Sequence, residues 1–514
     1  MTTAPSAFPG YSPDAPLELD GLSDAAIAGI IGRLSDGSHR AFSEAAARAG
    51  NCAHPIRLHG HSHTIHRATG AVVDTFTSAD APLGVVMVPC GNRRASVCPA
   101  CSRTYAADTF QMIRSGVAGG KTVPETVAAH PLVFATLTAP SFGHVHGARD
   151  GQACRPTTRG PARCTHGRST TCPRAHDEDD ELIGQPLCAD CYDYASHVLW
   201  QYHAPELWRR FTIALRRTLA ASLGVSESRL KHTVTVQYAK VAEYQRRGII
   251  HFHALVRLDG PKTDDGTYAD PPAWMTAATL AEHITTAARS VAVIAPSPME
   301  GDPERVLRFG RQLDARPVAT TSARKQGLDS ESLSAEQVAG YLAKYATKTC
   351  GDPEHENDHM RRLRATCRLY ADAAHLREQH GCPIEDKTGR DVYAKLHNWV
   401  HMLGFRGHFA TKSRRYSITL GRLRRARRRF AHLAAQAART GEPLDVADLE
   451  ARLLAEDDDS TTLVVGSWTY AGTGWPQPGD AELALAAAAR AREYAQWKAE
   501  QRRATRSTTT SSHR

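Results

Sequence analysis

The chain has 514 residues, enough for roughly three domains of ordinary size, and its hydrophobic fraction of 41% is typical of a chain that buries a core. With 63 Lys and Arg against 54 Asp and Glu, the net charge is +9, which favours an anionic partner. No apolar run approaches the roughly 18–20 residues of a membrane span, and the N-terminus lacks the basic and apolar regions of a secretory signal, so we expect a cytoplasmic protein with no membrane partner.

The first half of the chain alternates between helical patterns and cysteine-rich stretches. Residues 1–49 predict a loose arm followed by a helix over 22–49, and residues 50–128 hold four cysteines and a further helical pattern. A short apolar run within 129–150, LVFATLT, predicts a buried strand. Residues 151–195 are rich in Cys, His, Gly and Arg and poor in apolar residues, which indicates an insertion without its own hydrophobic core.

The second half begins with a core region at 196–350, where HTVTVQYAKVAEY and IIHFHALVRL predict two strands joined by a turn. Helical patterns are predicted at 195–223, 274–294 and 334–349. A basic region at 351–475 ends in a strand-like run, TTLVVGSWTY, and residues 476–514 predict a helix and a disordered tail.

The segment GIIHFHALV predicts a strand that presents two histidines on one face. Side chains alternate across a strand, so His251 and His253 share a face and lie about 6–7 Å apart along it. Such a pair can bind one divalent cation, and the alternative is two polar residues on a solvated sheet face. Glu243, at the end of the preceding strand, would complete a site suited to Mg²⁺ or Mn²⁺ if the turn places it on the histidine face.

The segment YLAKYATK predicts a helix with two tyrosines on one face, because Tyr341 and Tyr345 are four residues apart. Lys344 and Lys348 flank them at the same spacing. Tyrosine is a poor nucleophile at its ordinary pKa of about 10, but neighbouring lysines and a metal-bound phosphate make attack feasible. The alternative interpretation is an aromatic helix–helix contact with solvated lysines.

Together the two motifs resemble those of the HUH endonuclease superfamily, whose members nick single-stranded DNA and form a 5′-phosphotyrosine bond. In that family two histidines and a third polar ligand hold a divalent metal, and a tyrosine on a nearby helix attacks. LVFATLTAP resembles the first motif of these enzymes, HFH the second and YLAKYATK the third. The paired tyrosines resemble those of two-tyrosine phage proteins, in which the two residues alternate.

The wider chain resembles the RepSA-type replication initiators of actinomycete plasmids and integrative conjugative elements. The matching stretches include CGNRRASVCPACSRTYAADT, HPLVFATLTAPSFGHVH, LCADCYDYASHVLW, APELWRRF and HMLGFRGHFATKSRRYS. The resemblance implies an α+β fold: an HUH-endonuclease core, which is an antiparallel sheet with flanking helices, together with zinc-binding insertions and a basic, mostly helical C-terminal region.

The resemblance also implies a rolling-circle replication initiator that nicks origin DNA. Tyr341 or Tyr345 would attack while Lys344 and Lys348 steady the phosphate or the phenolate, and the free 3′-OH would prime host DNA polymerase. The segment Gly116–Thr122 is one residue short of a phosphate-binding loop, so we predict no ATPase motor and a need for a host helicase. The alternatives are a two-tyrosine transposase or relaxase and a non-catalytic, zinc-dependent DNA-binding regulator.

Two cysteine clusters predict structural zinc, because four thiolates or imidazoles suit tetrahedral Zn²⁺. The predicted ligands of the first ion are Cys52, Cys90, Cys98 and Cys101. The predicted ligands of the second are Cys164, Cys172, Cys188 and Cys191, with His166 or His176 as possible substitutes. Redox chemistry of the CxxC pairs is the alternative, but no thioredoxin-like pattern surrounds them. The remaining cysteines, Cys154, Cys350, Cys367 and Cys382, are predicted to be free thiols.

Residues 401–430 contain ten Lys and Arg and no acidic residue, which predicts a nucleic-acid surface in preference to a solvated basic helix. The predicted DNA-binding residues are Arg406, Lys412, Arg414, Arg415, Arg422, Arg424, Arg425, Arg427, Arg428 and Arg429. Phe405, Phe409 and Tyr416 are predicted to stack on unpaired bases.

Overall fold

A computed structural model describes residues 19–157, 159–264, 266–318, 335–345, 357–455 and 462–511. These residues form a mixed α/β structure with antiparallel sheets, and the chain divides into two compact units. Unit 1 comprises Met1–Ala106 and Ala455–Arg514, and unit 2 comprises Ala107–Leu454. Within the described ranges, no helix is both long enough and apolar enough to cross a lipid bilayer.

The helices and strands are numbered in chain order. The described helices are α1 (Asp24–Ser35), α2 (His39–Arg48), α3 (Pro99–Ala118), α4 (Tyr194–Ser222), α5 (Ala277–Ser290), α6 (Ala335–Tyr345), α7 (Asp358–Gln379), α8 (Leu420–Thr440), α9 (Leu449–Leu454) and α10 (Asp480–Ser511). The described strands are β1 (Ile56–His66), β2 (Val72–Thr77), β3 (Val86–Val88), β4 (Leu132–Leu137), β5 (Thr235–Tyr244), β6 (Ile250–Asp259), β7 (Val293–Ala295), β8 (Arg305–Leu307), β9 (Leu313–Pro317), β10 (Ala410–Lys412) and β11 (Thr462–Thr473).

Unit 1 contains an antiparallel sheet with the order β11-β1-β2, and β3 also pairs with β1. The predicted strand-like run TTLVVGSWTY is confirmed as β11, which pairs along the whole of β1. The apolar periodicity of residues 22–49 predicted one helix, whereas the structure has two, because the chain turns at Gly37 with a φ of +76°. A small core in this unit buries Cys52, Cys98 and Cys101.

Unit 2 is built on a five-stranded antiparallel sheet with the order β10-β5-β6-β4-β9, so the predicted HFH strand lies at its centre. Alternation along β6 buries Phe252 and Ala254 on one face, where Trp208 of α4 contacts the Phe252 ring at 5.6 Å. His251 and His253 point to the opposite face. The sheet thus has one face packed into the apolar core and one face that carries polar groups.

Helix α4 also holds the turn between β5 and β6. Gln201 is fully buried, and its side-chain amide donates to the Gly248 carbonyl at 3.1 Å and accepts from the Ile250 N–H at 3.0 Å. These two bonds satisfy backbone groups at the start of β6 that would otherwise be buried without partners. The turn that precedes the HFH strand is therefore anchored to the core by one side chain.

Candidate active site and metal centres

The turn between β5 and β6 decides which way Glu243 points. Tyr244 pairs with Ile250 and Glu243 with His251, which leaves five residues, Gln245–Ile249, in the turn. Gly248 adopts a φ of +80°, and the turn is closed by a hydrogen bond from the Gln245 N–H to the Ile249 carbonyl at 2.8 Å. Because this loop has an odd number of residues, the Glu243 side chain lies on the same face as the two histidines.

Glu243, His251 and His253, which we call the metal triad, converge on one point. Oε2 of Glu243 lies 3.0 Å from Nε2 of His251 and 3.0 Å from Nε2 of His253, and the two Nε2 atoms are 3.1 Å apart. Burial opposes ionisation of Glu243, but its hydrogen bonds to the histidines outweigh burial and lower its pKa to about 2. Burial lowers the pKa of His253. The triad is therefore an ionised carboxylate beside a histidine that favours its neutral form, as metal ligation requires.

A neighbouring strand orients His253 within the metal triad. Thr136 of β4 lies opposite His253, and its Oγ1 is 3.0 Å from Nδ1 of that histidine. The ring of Phe134, two residues earlier on the same face, stacks on the His253 ring at 5.6 Å with an interplanar angle of 9°. The hydroxyl contact occupies Nδ1 and leaves Nε2 directed into the triad. Neither residue was predicted to belong to the site, although both lie in the run LVFATLT, which predicted a strand and places them two residues apart on one face.

Helix α6 brings the first of the two tyrosines beside this triad. The centroid of the Tyr341 ring lies 5.3 Å from that of the His253 ring and 5.9 Å from that of the Phe134 ring. The interplanar angles are 84° and 87°, so both contacts are edge-to-face. Tyr341 is 40% exposed, whereas Leu342 and Ala343 are buried and pack the helix against the rest of the protein. Lys344 is exposed. Tyr345 ends the helix, but its side chain and the whole of Lys348 lie outside the described residues.

The first predicted cysteine cluster is brought together. The N-terminal quartet, Cys52, Cys90, Cys98 and Cys101, presents four Sγ atoms within 4.8 Å of one another. The Sγ atom of Cys98 lies 3.8 Å from the Sγ atom of Cys52, and the Cys90 N–H donates a hydrogen bond to the Cys52 sulfur at 3.3 Å. The hydrogen bond from Cys101 lowers the pKa of the Cys52 thiol to about 5. The quartet could hold a metal ion.

The preferred ligand set of the second cysteine cluster, which includes Cys172, is wrong, whereas the alternative with His166 in place of a cysteine agrees with the structure. The structure gathers Cys164, His166, Cys188 and Cys191, which we call the tip quartet, and gathers Cys172 elsewhere. Cys172 joins His146, Cys154 and His176, which we call the base quartet. Cys154 is thus not the isolated thiol that was expected, and His166 and His176 belong to different groups. The cause is a short hairpin that carries Cys164 and His166 away from the chain on either side of it.

The basic segment is less uniformly a surface than its composition suggests. Phe405, Phe409 and Tyr416 are buried, at 0%, 6% and 0% exposure, so the prediction that they stack on unpaired bases is wrong. Phe405 and Phe409 belong to the core of unit 2, and the Tyr416 ring lies 5.4 Å below the guanidinium of Arg257. These three aromatic side chains are used for packing rather than for contact with a partner.

The ten predicted DNA-binding residues divide by what they contact. Internal hydrogen bonds or an ion pair engage Arg406, Lys412, Arg422, Arg427 and Arg429. Arg425 is half-buried. The remaining four are exposed: Arg414, Arg415, Arg424 and Arg428. Burial lowers the pKa of Lys412 to about 8. The exposed arginines are therefore the members of this set that are most accessible to a phosphate backbone.

Known proteins resemble this chain over most of its length. The family described as "RepSA: Replication initiator protein, pSAM2" matches residues 38–489. A curated replication initiator protein of Streptomyces ambofaciens is 40% identical over 480 residues, which cover 90% of this chain and 93% of that protein. No solved structure matches the chain. The match spans most of the sequence and confirms the resemblance of the wider chain to the RepSA-type replication initiators. The chain belongs to the RepSA family of replication initiator proteins.

Proposed function

We propose that this protein initiates rolling-circle DNA replication by nicking one strand of an origin with a tyrosine, in a reaction that requires Mg²⁺ or Mn²⁺. The observation that carries the proposal is the convergence of Glu243, His251 and His253 with the ring of Tyr341 beside them. Membership of the RepSA family supports a role in replication initiation. An HFH strand at the centre of an antiparallel sheet agrees with the HUH core that the sequence motifs imply.

The donor atoms of the metal triad suit a hard divalent ion. Neighbouring ligands in an octahedral Mg²⁺ site with bonds of about 2.1 Å are about 3.0 Å apart. The three separations of 3.0, 3.0 and 3.1 Å are short enough for one such ion to bind all three atoms. One carboxylate and two imidazoles also leave positions for water and a phosphate oxygen.

The proposed reaction is a transesterification at phosphorus. When bound, Mg²⁺ or Mn²⁺ would polarise the scissile phosphate. Tyr341 Oη forms a bond to phosphorus while the bond from phosphorus to O3′ breaks. The phenol loses its proton to solvent, and the departing O3′ takes a proton from solvent to become a free hydroxyl. The product is a 5′-phosphotyrosine and a 3′-OH end. Lys344, three residues further along the same helix, would steady the phosphate or the phenolate.

The sequence alone supports the roles proposed for Tyr345 and Lys348. Tyr345 follows Tyr341 by one helical turn, so the second tyrosine would take over the strand when the replication round closes. Lys348 would assist it as Lys344 assists Tyr341. The 3′-OH would prime host DNA polymerase, and a host helicase would unwind the duplex, because the chain lacks a recognisable ATPase motif.

A basic cleft in unit 2 offers a path for the strand. It has a volume of about 640 Å³, and its lining includes Pro140, Arg246, Arg247 and Arg311. Arg246 and Arg247 belong to the Gln245–Ile249 turn, one residue pair beyond Glu243 and His251, so the cleft opens at the same end of the sheet as the metal triad. Arginines beside a metal-bound phosphate can contact the neighbouring phosphates of a single strand. The exposed arginines of residues 401–430 would bind further phosphates.

We also propose that the N-terminal and tip quartets hold structural zinc. The 3.8 Å between the sulfurs of Cys52 and Cys98 equals the separation of about 3.8 Å that two thiolates have on tetrahedral Zn²⁺. Each quartet fills all four positions of such an ion, which excludes a catalytic role for it. Their function would be to stabilise the local fold of the segments that carry them.

The decisive experiment compares two pairs of histidines. Labelled single strands tiled across the replicon that encodes the protein are incubated with Mn²⁺ or with EDTA. We expect Mn²⁺-dependent cleavage at one origin sequence, loss of cleavage in His251→Gln/His253→Gln, and full cleavage in His61→Gln/His63→Gln. The second pair is also an H-x-H sequence on a strand, and its rings lie 5.2 Å apart in unit 1. Cleavage that both variants retain would refute the assignment of the metal triad.

The cleavage pattern also separates this function from related ones. Cleavage restricted to element ends or to a transfer origin would indicate a transposase or a relaxase instead. Binding without cleavage by any metal-loaded protein would indicate a zinc-dependent regulator.

A further inference from the structure

We infer that residues 144–191 form a two-zinc module in which the base quartet binds an ion of its own and the ligands of the two ions alternate in pairs along the chain. The ligand order is His146 and Cys154, then Cys164 and His166, then Cys172 and His176, then Cys188 and Cys191. The first and third pairs form the base quartet, and the second and fourth form the tip quartet. Neither ion can be removed without loosening the loop that holds ligands of the other.

The separations within the base quartet are those of a tetrahedral site. Nδ1 of His146 and Nε2 of His176 are 3.2 Å apart, close to the separation of about 3.3 Å for two imidazoles on Zn²⁺. The sulfur of Cys172 is 3.4 Å from Nε2 of His176, and that of Cys154 is 3.9 Å from Nδ1 of His146. These two distances bracket the separation of about 3.6 Å for a thiolate and an imidazole on one Zn²⁺.

Groups around the base quartet orient its ligands as they do in zinc proteins. Nδ1 of His176 lies 2.7 Å from the Asp180 carboxylate, so its Nε2 is free to face the ion. A carboxylate behind a ligating histidine is a common outer-shell arrangement of zinc sites. The Gly147 N–H donates to the Cys154 sulfur at 3.3 Å, which stabilises a thiolate there. Ordinary packing of two cysteines and two histidines would not require either contact.

The module has almost nothing else to hold it together. Among the described residues from 147 to 180, the buried ones are Cys154, Cys172 and His176, which are all members of the base quartet. A stretch of this length with no buried aliphatic or aromatic side chain cannot offset the entropy of ordering its backbone through the hydrophobic effect. Metal binding is the usual substitute for such a core.

A hairpin couples the two sites. Arg155 and Cys172 bridge at its base, and Arg163 and Ser169 bridge near its tip. Cys154 and Cys172 therefore sit at the base, and Cys164 lies at the tip, where the Gly167 N–H donates to its carbonyl at 2.9 Å. The base ion would hold the two arms of the hairpin together. The tip ion would link the end of the hairpin to Cys188 and Cys191.

The module also supports the turn beside the metal triad. A Cβ at Gly184 would lie 2.4 Å from the carbonyl carbon of Arg246, and the Arg246 guanidinium donates to the Glu178 carbonyl at 2.8 Å. The segment that follows His176 thus packs directly on the Gln245–Ile249 turn. A link from zinc binding to nicking rests on the proposed function, whereas zinc binding itself does not.

The test counts zinc and its ligands in the full-length chain. The His251→Gln/His253→Gln background is used so that zinc in the metal triad does not contribute, and the protein is dialysed against metal-free buffer containing Mg²⁺. We expect three zinc ions per chain by mass spectrometry. X-ray absorption at the zinc edge should show nine thiolates and three imidazoles shared by three ions, or three sulfurs and one nitrogen per zinc. Two ions per chain, sharing seven sulfurs and one nitrogen, would overturn the inference.

A variant pair locates the additional ion. Cys154→Ser/Cys172→Ser should lose at least one zinc, and the matched control Cys382→Ser, an exposed cysteine outside the quartets, should keep three. Retention of all three ions by the double variant would contradict the assignment. If the double variant does not fold, the absorption spectrum of the parent chain still decides the question. Because none of these readouts involves DNA, failure of the nicking proposal would leave the zinc result unaffected.

Discussion

Replacing Thr136 by valine tests how the protein holds His253, a proposed metal ligand, in position. The Thr136 hydroxyl contacts Nδ1 of His253 at 3.0 Å, and His253 is only 3% exposed, so water has little access to replace the lost partner. Valine keeps the branched shape but cannot hydrogen-bond. Loss of such an outer-shell contact typically weakens metal binding by about 10–100-fold, or about 1.4–2.7 kcal/mol.

The assay measures the nicking rate as a function of Mn²⁺ concentration. In Thr136→Val we expect half-saturation to rise by about tenfold or more, with the wild-type rate recovered at saturating Mn²⁺. The matched control is Thr411→Val on β10, whose register opposite Lys240 places it on the other face of the same sheet. An unchanged half-saturation, or a lower maximal rate at unchanged half-saturation, would refute the positioning role of Thr136.

Three further predictions concern the scaffold of unit 2. Gln201→Met leaves buried backbone groups of the turn unsatisfied and should lower the free energy of unfolding by about 1–3 kcal/mol in chemical denaturation. Burial lowers the pKa of Lys240 from 10.5 to about 7, so the unfolded chain binds more protons between those values and stability rises with pH across that window. Lys240→Met should therefore raise the melting temperature most at pH 7 and below, and the gain should vanish near pH 10.5. Gly184→Ala, which would clash with the Arg246 backbone, should lower the melting temperature more than Gly167→Ala, which meets open space at a similar positive φ.

Each of these predictions has an outcome that contradicts it. Wild-type stability of Gln201→Met would mean that the turn does not depend on the side-chain amide. A gain for Lys240→Met that stays constant from pH 6 to pH 10.5 would mean that burial does not depress the pKa of this lysine. Equal melting temperatures for the two glycine variants would show that the contact of Gly184 with the turn is not close.

The strands and helices around the site were largely predictable, because local periodicity determines them. The run LVFATLT, the HFH strand and the tyrosine helix lie where their patterns placed them. The direction of Glu243 was not predictable, since one residue more or fewer in the turn reverses the face of every side chain in the strand. The contact between Thr136 and His253 joins residues that are far apart in sequence, and no local pattern encodes it.

The two quartets of the module and the basic segment show the same limit. Spacing marks Cys and His as candidate ligands, but it does not group them when the members of two sets alternate along the chain. Phe405 and Tyr416 were predicted to be exposed because arginines surround them in the sequence. Their burial depends on distant partners, including the Arg257 guanidinium over the Tyr416 ring, which a local window cannot contain.

The most direct test of the account is the covalent bond between protein and DNA. Single-stranded origin DNA labelled at either its 5′ or its 3′ end is incubated with the protein and Mn²⁺ and separated on a denaturing protein gel. We expect an adduct that carries only the 3′ label, is absent with EDTA, and is lost in the Tyr341→Phe/Tyr345→Phe variant. No adduct from a folded, zinc-loaded protein that still binds this DNA, or an adduct that persists in the double variant, would contradict tyrosine attack at this site.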